Sequence, residues 1–289
     1  MRLPKLFERK QPVFSFEFFL PKDPAGDADF KVTVRELKGL NPDFVTLTYG
    51  AGGSSRDRTL EMAGAMKNEL GIETASHLTC IAHTRAEITA ILDRIHAVGI
   101  ENIVALRGDV PIDGSALPFE KRDYKYASDL VADIRAQGRF AVAVAGYPEG
   151  HPESASKEAD LQNLKVKVAA GGDWVVTQLL FDNAAYFDFV KRCRAAGITA
   201  PIVPGIMPVT NYQQLKRFTT MCGATVSAAM HAALDPIQED KDALVRYGIE
   251  YGVKQCRELL DGGAPGIHFY TLNRSHSTQE ILKRLRKAA

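Results

Sequence analysis

The sequence predicts a (β/α)8 TIM barrel, a single domain spanning residues 1–289. Three observations lead there. Short apolar runs of strand length alternate eight times with longer segments of helical periodicity. Several strand runs, such as Ile103-Val104-Ala105-Leu106 and Ala141-Val142-Ala143-Val144, are apolar at every position, as expected of parallel strands covered on both faces. No linker interrupts the alternation. A doubly wound open sheet is the competing arrangement, but it more often has fewer repeats and a nucleotide-binding turn after its first strand.

In chain order the strands are expected at 13–19, 44–49, 75–80, 102–107, 140–145, 174–180, 201–207 and 266–272. Between them, segments such as 57–70, 85–98, 156–170 and 240–260 repeat apolar residues at three- and four-residue spacing, the mark of helices packed on one face. Gly71, Gly99, Gly138, Gly171, Gly197 and Gly262 stand where helices should stop. The one glycine cluster, Gly50-Ala51-Gly52-Gly53, follows the second strand and completes neither G-x-G-x-x-G nor a P-loop, so a dinucleotide would have to bind without a Rossmann turn.

Thirty-six basic and 35 acidic residues leave a formal charge of +1 without long runs of either sign, which argues against nucleic acid or an anionic membrane as partner. Cys80, Cys193, Cys222 and Cys256 are scattered and read as reduced thiols. The N-terminus lacks an apolar signal core and no apolar run approaches a membrane span. A soluble cytoplasmic protein is expected, which makes the Asn273-Arg274-Ser275 glycosylation match accidental.

Barrel enzymes collect their chemistry at the C-terminal ends of strands, so polar residues there carry the most information. Glu17 sits in Phe14-Ser15-Phe16-Glu17-Phe18-Phe19, where burial among phenylalanines should raise its pKa and suit it to general acid work. A structural carboxylate paired with arginine or lysine is the other reading. Thr48 and Tyr49 end the second strand, His77 lies in the third, and Arg107-Gly108-Asp109 closes the fourth, either as a ligand-facing turn or as an ordinary strand-to-helix connection. Tyr147-Pro148-Glu149-Gly150-His151-Pro152 displays His151, and Gln178 offers a neutral bidentate edge suited to a heterocyclic amide. Arg274 stands just past the eighth strand as a carboxylate clamp or a surface residue. Metal-ligand spacings and a hydrolytic triad are absent, so an organic cofactor is the expected electron carrier.

These segments, together with Thr48-Tyr49-Gly50-Ala51, His77-Leu78-Thr79-Cys80, Asn102 to Asp109, Tyr126-Ala127-Ser128-Asp129-Leu130, Pro204-Gly205-Ile206-Met207-Pro208-Val209 and His268-Phe269-Tyr270-Thr271-Leu272-Asn273-Arg274, resemble methylenetetrahydrofolate reductase of the bacterial single-domain type along nearly the whole chain. The resemblance implies reduction of 5,10-methylenetetrahydrofolate to 5-methyltetrahydrofolate, with FAD passing a hydride from NADH or NADPH in a ping-pong cycle on one flavin face. It implies Glu17 as the general acid that opens the folate's imidazolidine ring, and Asp109 as the residue that stabilises the resulting iminium and tunes the flavin. Flavin contacts carry over to Thr48, Tyr49, Ala51, His77, Arg107, Gly108, Asp109, Tyr126, Ala127, Tyr147, His151, Asp160, Asn163 and Lys167. Folate contacts carry over to Gln178, Gln214 and Arg274, with Phe218 as an aromatic lid.

Three places depart from the family pattern: Val166 stands where a basic FAD contact is usual, Leu20-Pro21 replaces a Pro-Pro pair, and Gly52-Gly53-Ser54-Ser55 alters the loop after the second strand. The first implies looser FAD retention. The resemblance also implies a homo-oligomer without the C-terminal regulatory domain of eukaryotic members. Two rivals follow from the residues alone: a barrel lyase with a Schiff-base lysine, for which no strand-end lysine is visible, and a flavin-binding subunit that lost its chemistry or needs a partner.

Overall fold

The computed structural model describes residues 1–21, 24–48, 56–110 and 117–287. Its eight strands are β1 (Val13–Phe18), β2 (Phe44–Leu47), β3 (Thr74–Thr79), β4 (Asn102–Leu106), β5 (Ala141–Gly146), β6 (Trp174–Leu179), β7 (Ile202–Ile206) and β8 (Gly266–Tyr270). Each pairs in parallel with the next, and β1 pairs with β8, so the sheet closes into the predicted barrel. The strands are mostly a residue or two shorter than predicted, because their last residues leave the ladder for the loops that carry the site.

Among the described residues ten α-helices surround the sheet: α1 (Asp27–Lys38), α2 (Arg56–Asn68), α3 (Arg85–Ala97), α4 (Ala127–Ala136), α5 (Lys157–Ala169), α6 (Asn183–Ala195), α7 (Tyr212–Cys222), α8 (Ala228–Leu234), α9 (Lys241–Asp261) and α10 (His276–Arg286). Both α7 and α8 fall between β7 and the long α9, an extra pair that the eight-fold alternation does not resolve. Gly71, Gly99, Gly138, Gly171 and Gly197 take the positive φ of a helix stop; Gly262 does not, at φ −77°, and Gly263 at φ +90° holds that conformation instead.

Strand side chains alternate between two cores. Phe14, Phe16 and Phe18 point outward into the layer shared with the helices, where Phe18 meets Phe30 of α1 edge to face at 5.7 Å. Val13, Phe44, Ala75, Val104, Ala141 and Trp174 point inward and fill the end of the barrel where the strands begin. A 3-10 turn at Leu3–Leu6 plugs that end, with Leu3 and Leu6 buried and Phe7 packed 6.2 Å from Trp174. Among the described residues no helix is long and apolar enough to cross a membrane.

Candidate active site

With one end plugged, the barrel opens at the C-terminal ends of its strands into a cavity of about 1190 Å³. That exceeds the roughly 300–1,000 Å³ that holds one drug-sized ligand.

Glu17 lies on the cavity floor. The period of two that sends Phe16 and Phe18 outward turns Glu17 inward, beside Thr46 of β2 and Tyr270 of β8 in the sheet register. It is 7% exposed. Its Oε2 lies 3.3 Å from His77 Nε2 and 3.4 Å from His268 Nε2, and accepts from Thr46 Oγ1 at 3.4 Å. His268 is held from behind, its Nδ1 2.8 Å from Ser15 Oγ. The expected raised pKa is therefore corrected. Burial does push the carboxyl up, but the adjoining His77 and His268 outweigh it through charge and hydrogen bonding and bring it down to about 2. The phenylalanines that suggested an apolar pocket belong to the other face of the strand.

The wall on the β4–β5 side carries two cations, Arg107 and Lys167, among the acids Asp109, Glu153 and Asp160. Ser156 caps α5 by accepting from Ala159 N, and the helix presents Asp160, Asn163 and Lys167 to the cavity from one face. The Lys167 ammonium donates to Ala145 O at 2.5 Å; burial lowers its pKa to about 8, against the pull of Asp160. Burial likewise raises Asp160. Arg107 forks onto Glu153, Nη1 to Oε2 at 2.6 Å and Nη2 to Oε1 at 2.9 Å, while its Nε donates to Gly108 O. Gly108 has φ +86°, and a Cβ there would lie 3.0 Å from Thr79 Cβ, so this strand-end turn requires glycine twice over. His151 stacks edge to face on Tyr147 at 4.6 Å and accepts the Glu153 N–H at Nδ1, which places its own proton on Nε2. Burial lowers its pKa and keeps the ring a neutral donor, and burial pushes Tyr147 up to about 12.

Opposite, Gln178 reaches the cavity from a bulge in β6. Its Oε1 accepts from Leu179 N at 2.8 Å, so the group it offers a ligand is the NH2. The bidentate edge read from the sequence is thus half occupied. Phe218, Met221 and Cys222 project from one face of α7 onto the same cavity.

Within the described residues, every flavin contact implied by the resemblance lines this one cavity, as do Glu17, Gln178 and Phe218. Gln214, in the first turn of α7, and the exposed Arg274 do not. Tyr49 and Ala51 lie outside the described residues. Sequence reasoning missed His268, Tyr270, Thr46 and Glu153. The first two stand in a segment it quoted without a role, and Glu153 comes one residue after the loop it singled out.

The methylenetetrahydrofolate reductase family model matches residues 2–286. Methylenetetrahydrofolate reductase (NADH) 1 of Zea mays is 41% identical over 283 residues, which are 94% of this chain and 48% of that protein, so the chain spans about half the length of this relative. The 5,10-methylenetetrahydrofolate reductase of Escherichia coli is 40% identical over 267 residues, 92% of this chain and 88% of that one. A Clostridium thermocellum protein described as binding two copies of 5-methyl-5,6,7,8-tetrahydrofolic acid shares the fold, with a TM-score of 0.66, 12% identity and coverage of 100% of this chain and 99% of that one. On the family model and the 40% identical relative, the chain belongs to the methylenetetrahydrofolate reductase family.

Proposed function

We propose that the chain reduces 5,10-methylenetetrahydrofolate to 5-methyltetrahydrofolate, with FAD as cofactor and NADH or NADPH as reductant. The observation that carries this reading is Glu17, a carboxyl on the floor of a large open cavity with two imidazoles against one oxygen. Glu17 passes the proton that opens the folate ring, and its Oε2 is held for that transfer against His77 Nε2 and His268 Nε2. Asp109, on the rim, stabilises the cation formed when the imidazolidine ring opens, and its charge opposes added negative charge on the cofactor. Gln178 donates from its NH2 to an acceptor of the pterin, and Phe218 covers the stacked substrate.

The residues present fit FAD. Lys167 and Arg107 put two cations on the cavity wall for a pyrophosphate, Asn163, His151 and Tyr147 supply neutral donors, and Val104, Leu106 and Ala145 supply apolar surface for a ring system. FAD, when bound, carries the hydride from nicotinamide to folate. The test is spectroscopic: the protein saturated with FAD should show the flavin band, lose it anaerobically with NADH or NADPH, and regain it with 5,10-methylenetetrahydrofolate. Absence of the band after FAD is added would sink the proposal.

One observation favours a second reading. A lysine brought down to about 8 in a cavity wall is what a Schiff-base lyase uses, and Lys167 reaches that place from a helix, where a search of strand ends does not look. Borohydride reduction with an aldehyde substrate would leave a stable adduct on Lys167 if this reading held.

A further inference from the structure

We infer that Tyr270 is a positioning residue for Gln178: with Thr177 and Gly205 it locks the β6 bulge that aims the Gln178 amide into the cavity. The inference deepens the proposed reading of Gln178 as a folate contact and rests on it.

The lock begins with a proline. Strands β6 and β7 pair regularly at Val175↔Ile202 and Val176↔Val203, then resume at Leu179↔Gly205, so Thr177 and Gln178 together face the single Pro204. Proline has no N–H to give a ladder, which makes this the point where the two strands lose register. Buried carbonyls left by such a break need other donors. Here side chains provide them: Tyr270 Oη donates to Thr177 O at 2.8 Å, and Thr177 Oγ1 donates to Gln178 O at 2.8 Å. The next N–H of β7, that of Gly205, donates to Thr177 Oγ1 at 2.9 Å in place of a backbone acceptor.

Gly205 makes the room. A Cβ at this position would lie 2.4 Å from Thr177 O and 2.5 Å from Tyr270 Cε2, so only glycine lets the phenol ring lie across β7 and reach β6. Three strands thus converge on one distortion whose exposed product is Gln178, its Oε1 held by Leu179 N and its NH2 turned to the ligand. Tyr270 itself lines the cavity floor next to Glu17 in the register. Loss of its hydroxyl leaves the bulge free to re-pair and Gln178 free to turn, which weakens a ligand that accepts a hydrogen bond there and leaves Arg107 and Lys167 untouched.

The test is a double-mutant cycle on the FAD-loaded enzyme, with Tyr270→Phe, Gln178→Ala and both together, measuring the dissociation constant of 5-methyltetrahydrofolate and the rate of flavin bleaching by NADH. Loss of one hydrogen bond predicts that Tyr270→Phe weakens folate binding about fivefold while the bleaching rate stays within about twofold. In the Gln178→Ala background Tyr270→Phe should then have no further effect. Full additivity of the two changes, or no effect of Tyr270→Phe beside a weakened Gln178→Ala, overturns the role of Tyr270 and leaves Gln178 as a folate contact. An unchanged Gln178→Ala overturns the folate reading of Gln178, and the inference falls with it. Should Tyr270→Phe fail to fold, Thr177→Val removes the hydroxyl shared by Gly205 N and Gln178 O and carries the same predictions.

Discussion

Replacing Glu17 by glutamine should separate the two halves of the catalytic cycle. Glutamine keeps the shape of the side chain but removes both the charge and the acidic proton. Against the usual 4.5, a carboxyl at about 2 prefers ionisation by about 3 kcal/mol. At pH 7 it would be protonated only about once in 10⁵, so Glu17 acting alone would forfeit about 7 kcal/mol in reaching its acidic form. Removing the acid should slow reoxidation of the bleached flavin by 5,10-methylenetetrahydrofolate about 10²- to 10⁴-fold, with bleaching by NADH changed by less than about threefold. Anaerobic stopped-flow absorbance at the flavin band reads both steps. Equal losses in the two would refute the argument. Stability gives an independent check, because the contribution of a lowered carboxyl is fully present above about pH 4.5 and lost as pH falls through about 2. The stability gap between the wild type and Glu17→Gln should therefore shrink by up to about 3 kcal/mol between about pH 6 and about pH 2 in urea titrations; a constant gap would count against the ion pair.

Other positions give separate tests. Val166 is 55% exposed at the cavity mouth, so a cation placed there is partly screened; Val166→Arg should tighten FAD binding about fivefold, measured by fluorescence titration, and no change would remove this position from cofactor retention. An anionic ligand beside Lys167 should lift its pKa from about 8 back toward 10.5, so FAD binding should take up protons and weaken up to about tenfold per pH unit above about pH 8; affinity unchanged between about pH 7 and 10 would refute that contact. A Cβ at Gly248 of α9 would lie 1.8 Å from Val209 O, a backbone atom with nowhere to go; Gly248→Ala should cost about 3 kcal/mol and lower Tm by about 6–12 °C, and an unshifted melting curve would contradict this packing.

The barrel was legible because its strands are buried on both faces: an apolar run such as Ala141 to Val144 admits few other readings when eight recur between helices. Glu17 shows where legibility stopped. Its neighbours in sequence are phenylalanines, but successive strand residues face opposite ways, so Phe16 and Phe18 describe the environment outside the sheet and say nothing about Glu17. The informative neighbours are two residues away, at Ser15, across the register at Thr46 and Tyr270, and inside the barrel at His77 and His268, and a single sequence contains no register. The same limit hid the Arg107–Glu153 fork and brought Lys167 to the cavity from a helix. Gln214 is placed by resemblance alone and Arg274 reads as either a clamp or a surface residue; here neither lines the cavity.

The placement of the site divides its labour. Among the described residues, the side chains that touch the Glu17 carboxylate stand on strands, inside the closed ladder and above a plugged core, so their geometry changes only if the barrel deforms. The cations and donors proposed to hold the cofactor stand on α5, on the end of β4 and in the loop after β5, where Val166 and Glu153 are exposed and substitutable. Substitutions on α5 and in that loop can therefore accumulate without disturbing the surroundings of Glu17. The Gln178 bulge joins the two halves: it is strand-built like Glu17 but is proposed to contact ligand like the rim, and three strands brace it, since a one-residue slip there would turn the amide away from the cavity.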